Sequence, residues 1–338
     1  MRRLHTIIIA ALIVCLLSGC AGGLLLAFTA LGAGALAWEI NDFLGLDNED
    51  FTLLMDGYDT GVHPNPNGSL NISGLPAGDH VLSLVTNDRR TGFHANVSIT
   101  SGGSVSLQGQ TPIQAGVITG RVQRDVNGAR VPLAGIRVAA VFGGASVITN
   151  ASGAVDLPPT STEPTVIMGF TDAQGNYRLG PAKFGDWAVT TAYPGAYADA
   201  AIVSVSGGDD ATGTNFVLVD DPDAPNPATI RGSVARENAG PLASAMVVAQ
   251  LARAYEPQIN PARLEALQGQ AGAGLAEQPW FSWRSLASVT NVSGAYNLEV
   301  PPGVMGAYAY KTGYKAEITT LTLSAGEVET TNFALSPR

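Results

Sequence analysis

The chain has 338 residues, room for two or three domains, and a formal charge of −10. Charged residues make up only 14%, against 40 glycines and 20 prolines, a balance that suits short strands joined by tight turns. Lysine occurs only at Lys183, Lys311 and Lys315, so there is no basic patch to neutralise phosphates and nucleic acid is excluded as a partner.

At the N-terminus, Arg2 and Arg3 precede an apolar run over residues 4–17, broken only by His5 and Thr6. Small residues Ser18 and Gly19 then lead to Cys20. Positive, apolar and small segments in that order make an export signal rather than part of a fold. The apolar run is shorter than the roughly 20 residues of a membrane span. Leu17-Ser18-Gly19-Cys20 resembles the lipobox of bacterial lipoproteins. That resemblance implies cleavage of residues 1–19 as a signal peptide, and lipidation of the Cys20 sulfur. The membrane is then a partner through that lipid, and two or three acyl chains suffice for stable anchoring. Ala21 stands where lipoproteins retained at an inner membrane often carry aspartate, which implies the outer membrane of the cell envelope, if the organism has one. The competing reading is an uncleaved anchor that happens to contain a cysteine. Cys15 would leave with the signal, so the cleaved chain would hold no free thiol and no disulfide. It would also lose two arginines, taking −10 to −12.

Residues 20–49 form a membrane-proximal segment. Within it, residues 22–38 carry no charge and end at Trp38. Two readings stand side by side: a short helix in or dipping into the membrane, where a boundary Trp is at home, or an apolar helix packed on the first domain.

Past residue 50 the apolar period is two. Strands are expected at Val81-Leu82-Ser83-Leu84-Val85, Val97-Ser98-Ile99-Thr100, Ile118-Thr119-Gly120-Arg121-Val122 and residues 138–142. More follow at 187–192, 202–205, 307–310 and 318–323, with Trp187 expected in a core. Gly, Pro, Asn and Asp punctuate the runs, and strands so spaced without intervening helices indicate sandwiches. Residues 50–112 form a small first β-domain. Its Leu53-Leu54-Met55-Asp56-Gly57 and Gly74-Leu75-Pro76-Ala77-Gly78 segments resemble PEGA-type surface domains, with an Asp-Gly turn closing one strand and a Leu-Pro-x-Gly turn opening another.

An internal repeat sets the rest. Ile118-Thr119-Gly120-Arg121-Val122 recurs as Ile230-Arg231-Gly232-Ser233-Val234, and Thr171-Asp172-Ala173-Gln174-Gly175-Asn176-Tyr177-Arg178-Leu179 as Thr290-Asn291-Val292-Ser293-Gly294-Ala295-Tyr296-Asn297-Leu298. Residues 192–197 recur at 309–314, and Asn215-Phe216 at Asn332-Phe333. Between the copies, residues 220–228 (DDPDAPNPA) read as a stiff, solvated linker. In the repeated turn, Asp172 or Asn291 can bond its own backbone, and Gly175 or Gly294 can take positive φ. Tyr177 with Leu179, and Tyr296 with Leu298, then share one strand face and can enter a core. These motifs resemble the carboxypeptidase regulatory-like domain. The resemblance implies a seven-stranded prealbumin-like β-sandwich at 116–219 and another at 229–338, of a class grouped with carbohydrate-binding-like folds. The fold class expected is therefore all-β, with tandem Greek-key sandwiches.

Both copies carry insertions, at 143–168 and 253–286, and long insertions tend to be functional or disordered. In the second, Asn260-Pro261 starts a helix that Gly269 can end, followed by Trp280, Phe281 and Trp283. Exposed, those three rings are candidate glycan-binding residues; alternatively they cover the apolar side of the inserted helix. Signs of an enzyme are lacking. His63, His80 and His94 read as surface residues at turns, and no H-E-x-x-H, G-x-S-x-G or P-loop occurs. The acidic groups at 47–50, 209–210 and 220–223 lack the spacing of a calcium loop and read as solvated carboxylates. Adhesin sandwiches with Lys–Asn isopeptide bonds need lysine in the opening strand, where Arg121 and Arg231 stand here. No cofactor or metal is expected. The sequence thus describes an anchored stalk of sandwiches in the cell envelope, non-catalytic, which meets a protein partner or, alternatively, a glycan.

Overall fold

The computed structural model describes residues 50–65, 70–73, 76, 78–99, 104–106, 112–142, 166–206, 209–271 and 283–338. Cys20, the apolar segment 22–38, Trp280 and Phe281 lie outside the described residues. So does most of the first insertion.

The first unit contains β1 (Phe51–Met55), β2 (Tyr58–Val62), β3 (Asn71–Ser73), β4 (Gly78–Thr86), β5 (Thr91–Ile99), β6 (Ser104–Ser106) and β7 (Ile113–Gln114). Its main sheet runs β2-β1-β4-β5-β7, and β3 pairs with β6. Asp56 and Gly57 close the β1–β2 hairpin with φ of 51° and 83°. Two successive positive φ values match the right-handed twist of the strands, which is why Asp-Gly stands there.

Two sandwiches of one topology follow. The first holds β8 (Gly116–Val126), β9 (Ala129–Pro132), β10 (Arg137–Phe142), β11 (Val166–Phe170), β12 (Asn176–Ala182), β13 (Gly185–Thr191), β14 (Asp199–Val205) and β15 (Phe216–Leu218). The second holds β16 (Ala228–Arg236), β17 (Met246–Tyr255), α1 (Pro261–Ala271), β18 (Trp283–Val289), β19 (Ala295–Val300), β20 (Gly303–Tyr310), β21 (Glu317–Leu323), β22 (Val328–Thr330) and β23 (Phe333–Leu335). Sheet β11-β10-β13-β14 of the first matches β18-β17-β20-β21 of the second, and β12-β8-β15 matches β19-β16 with β23. In both, the last strand returns parallel to the opening one. The all-β, tandem-sandwich class expected from alternation and repeat is what the chain adopts.

The repeated motifs have matching local causes. Asp172 Oδ1 accepts from the backbone N–H of Gln174 and Asn176, and Asn291 Oδ1 from Ser293 and Ala295. Gly175 and Gly294 sit at φ of 80° and 74°. The glycine of the opening strand answers to a different constraint. A Cβ on Gly120 would lie 1.8 Å from the Thr214 carbonyl oxygen, and one on Gly232 1.9 Å from that of Thr331. Those carbonyls cross the opening strand there, and each accepts the hydroxyl of the motif tyrosine, Tyr177 at 2.6 Å and Tyr296 at 2.7 Å. Glycine and tyrosine therefore form one latch, repeated in each sandwich.

The units are packed together, which departs from the stalk expectation. In β10, Val138 and Ala140 enter the first sandwich's own core beside Trp187, which is 1% exposed. Ala139, from the other face, joins the core of the second sandwich with Ala188, Ala198 and Ala200. In β17, Val247 and Ala249 belong to the second sandwich's core, whereas Met246 and Val248 meet Phe51, Leu53 and Leu82 of the first unit. Both faces of these sheets are covered, so their strands are continuous apolar runs rather than alternating ones. Alanine on the outer face of β10, β13 and β14 permits close approach. The segment 220–228 is likewise no free spacer. Arg124 Nε bonds Asp220 Oδ1 at 2.8 Å, Asp221 N donates to the Gly195 carbonyl, and Pro227 lies against Gly195.

Candidate functional site

Of the aromatic trio predicted to meet glycan, only Trp283 is described. It opens β18 at 7% exposure, in one core with Ile259 and Leu267. Its ring is covered and offers no free face to a sugar. The second insertion does something else over its described length. Asn260 caps α1, with Oδ1 accepting from Ala262 N at 3.0 Å and Pro261 in the first turn. The helix continues through Gly269 to Ala271 rather than ending at the glycine. Residues 258–263 grip edge strand β14 of the first sandwich. Ala198 N donates to the Gln258 carbonyl, Asn260 N to that of Ala198, and Arg263 Nε to that of Ala200 at 2.7 Å. Arg263 also pairs with Asp199 at 3.0 Å.

Two of the three histidines correct the sequence reading. His80 and His94 lie within β4 and β5, buried at 4% and 6% exposure, whereas His63 is exposed, as expected, with Nδ1 2.7 Å from the Phe51 carbonyl. The strands place His80 and His94 inward, where each has a polar partner. His94 lies between Ser83 Oγ at Nδ1 (2.7 Å) and the Pro181 carbonyl of the first sandwich at Nε2 (3.0 Å). Burial, against the Pro181 bond and aided by the charge of Arg89, lowers its pKa to about 4, so it is neutral. His80 Nδ1 is 2.7 Å from Asp56 Oδ2, and its Nε2 3.1 Å from the Pro76 carbonyl. Burial opposes charge on both members of this pair. The mutual bond and attraction outweigh it, raising the His80 pKa and lowering that of Asp56.

Arg137 completes this junction. It is 7% exposed, stacks over Phe170 at 5.4 Å, and donates through Nη1 to Ser285 Oγ at 3.0 Å. Its charge helps hold Asp56 ionised, while burial lowers its own pKa. In the acidic clusters Asp209, Asp220 and Asp223 are exposed, as expected, and Asp210 and Asp221 half-buried; Asp210 takes Arg90 Nη2 at 2.7 Å, and Asp220 is the Arg124 partner noted above. Among the described residues, no three His, Cys, Asp or Glu side chains converge as metal ligands. None of the described helices is long and apolar enough to cross a membrane.

A cleft of about 860 Å³ opens where the first unit meets both sandwiches. The β1–β2 turn, the end of β11, the Asp172 turn and Ser244 border it. Gly57 approaches β11 so closely that a Cβ there would lie 2.6 Å from Gly169 N. Ser244 gives its carbonyl to the Tyr58 hydroxyl and to Lys311 Nζ. No sequence signal marked this cleft, because its walls come from three separate parts of the chain.

No protein-family model matches the chain, and a search of curated proteins finds no match. Solved structures similar to it include the TIE protein of Bacillus anthracis, at 12% identity and a TM-score of 0.22, covering 85% of this chain. This chain spans about half of that one, 51%. A minor pilin of Streptococcus agalactiae matches at 12% identity and a TM-score of 0.24, over 66% of this chain and 97% of its own. A candidate carbohydrate-binding protein of Pseudomonas aeruginosa matches at 17% and 0.23, over 31% and 88%. Scores this low carry no argument about this chain. Its class, an all-β protein of tandem sandwiches, rests on its own sheet topology.

Proposed function

We propose that this protein is a non-catalytic, lipid-anchored component of a bacterial cell envelope, a block of a PEGA-like unit and two carboxypeptidase regulatory-like sandwiches that serves as a structural and interaction module. One observation carries the reading. The side chains best suited to chemistry are engaged in holding the fold: His94 and Arg137 are buried and bond across seams between units, to the Pro181 carbonyl and Ser285, and Asp56 and His80 bond each other within the first unit. The lipobox-like Leu17-Ser18-Gly19-Cys20 supports the anchor, and residues 20–49 would then be the tether between lipid and block. Metabolic labelling of the full chain with an alkyne fatty acid, in a bacterial host, tests it. Label should enter the wild type and be absent from Cys20→Ser, with the wild type in the membrane fraction. An unlabelled wild type would refute the anchor.

A further inference from the structure

The cleft has the size of pockets that hold small organic ligands, and its chemistry is selective. Three arginines line it, Arg89, Arg121 and Arg178, in a chain where 18 basic residues face 28 acidic ones. Arg121 Nε donates to the Gln174 carbonyl at 2.7 Å and Arg178 Nε to that of Asp88 at 2.8 Å. Each tether orients a guanidinium and leaves its Nη nitrogens without a hydrogen bond among the described residues. Arg89 stands out further: its Nη1 is buried and has no hydrogen-bond partner among the described residues. A buried donor without an acceptor destabilises the fold, the more so when it is charged. An acceptor oxygen supplied from outside would remove that penalty.

Two acids share the lining and their charges act on the arginines, Asp59 on Arg89 and Asp172 on Arg121, but neither hydrogen-bonds an arginine among the described residues. Asp172 Oδ1 holds two backbone N–H groups and its Oδ2 the Asn176 amide at 3.1 Å. Asp59 Oδ1 accepts from Gly61 N at 2.8 Å. The rest of the lining mixes apolar surface at Met168 and Phe170 with the amides of Asn87 and Asn215. Amides both donate and accept, as a ring bearing many hydroxyls requires, while a guanidinium fork fits a carboxylate.

We propose that this cleft binds a saccharide bearing a carboxylate, with Arg89 as the anion anchor and Arg121 and Arg178 bordering it. The proposal goes beyond the envelope reading and does not depend on the lipid at Cys20. It would be tested by calorimetric titration of the full chain, purified in detergent. The probes are oligogalacturonate, peptide-free muramyl glycan strands, and fully methyl-esterified oligogalacturonate as the neutral control. One of the acidic probes should bind saturably, and Arg89→Gln should weaken it at least tenfold with an unchanged melting temperature. If oligogalacturonate is the ligand, its ester should also bind at least tenfold more weakly. Should Arg89→Gln melt early, Arg178→Gln, at an exposed position, takes its place with the same expectation. No binding of either acidic probe, or affinity unchanged in the folded variant, overturns the proposal.

Discussion

At the scale of single residues, two histidines respond to pH with opposite sign. His94 is held neutral, with its folded pKa near 4 against an ordinary 6.5. From pH 6.5 downward the unfolded chain takes up a proton that the folded chain refuses, so this group subtracts stability as pH falls. By pH 4 the loss is on the order of 3 kcal/mol. His80 behaves in reverse: its folded pKa is raised, so its contribution is complete below 6.5 and is lost as pH rises through the folded value. Its partner Asp56, lowered from 3.8, contributes above that pH and loses its effect as pH falls through its folded value. Arg137 faces both and favours Asp56 over His80, and Tyr308 interacts with Asp56 and Arg137. His94→Gln isolates the first effect. In urea titrations at pH 7 and pH 4, the stability difference between wild type and variant should narrow by about 3 kcal/mol at the lower pH. A difference that stays constant would show that His94 accepts a proton in the folded state.

At the scale of elements, the second insertion acts as a strap. Its helix is built largely of good helix formers but has only 11 residues, with Gly269 in its last turn, a length that is marginal without packing. Leu267, 1% exposed, and Ile259, 4% exposed, bury it against the alanine face of the first sandwich and against Trp283. Leu267→Ala should therefore cost about 2–4 kcal/mol. Because the helix lies on β14, amide hydrogen exchange should rise there, in the other sandwich, as well as in α1. Faster exchange confined to α1 would mean that the strap does not support the strand beneath it. The start of this helix was legible from Asn260-Pro261, a cap followed by a first-turn proline. Its continuation through Gly269 was not, because burial at Leu267 outweighs one glycine's cost of about 1 kcal/mol.

At the scale of the whole molecule, the shared cores predict shared unfolding. Thr312 Oγ1 donates to the Thr60 carbonyl at 2.7 Å, and Tyr58 packs edge-on against Tyr310 at 6.3 Å while bonding Ser244. Tyr310, 1% exposed, is therefore a main tie between the first unit and the second sandwich. Calorimetry should show one cooperative transition for the wild type. Tyr310→Ala should split off an earlier transition for the first unit, with a loss of about 3–5 kcal/mol at that seam. Three separate transitions in the wild type would restore the picture of independent units on a stalk.

What the residues alone determined is local in cause. The Asp-Gly hairpin, the Asx turns at Asp172 and Asn291, the positive φ of Gly175 and Gly294, and the inward tyrosine and leucine pairs each depend on neighbours a few positions away. The repeat then doubled that information and made the tandem sandwiches readable. Tertiary structure decided the rest, because it depends on groups distant in sequence. The opening glycines answer to carbonyls about a hundred residues on, at Thr214 and Thr331. His80 and His94 turned inward because Asp56, Ser83 and the Pro181 carbonyl could satisfy them, and Trp283 was covered because it enters the core that the second sandwich shares with alanines of the first. The cleft of Arg89, Arg121 and Arg178 has no local signature, since it exists only once three units pack and leave one buried guanidinium nitrogen without an acceptor among the described residues.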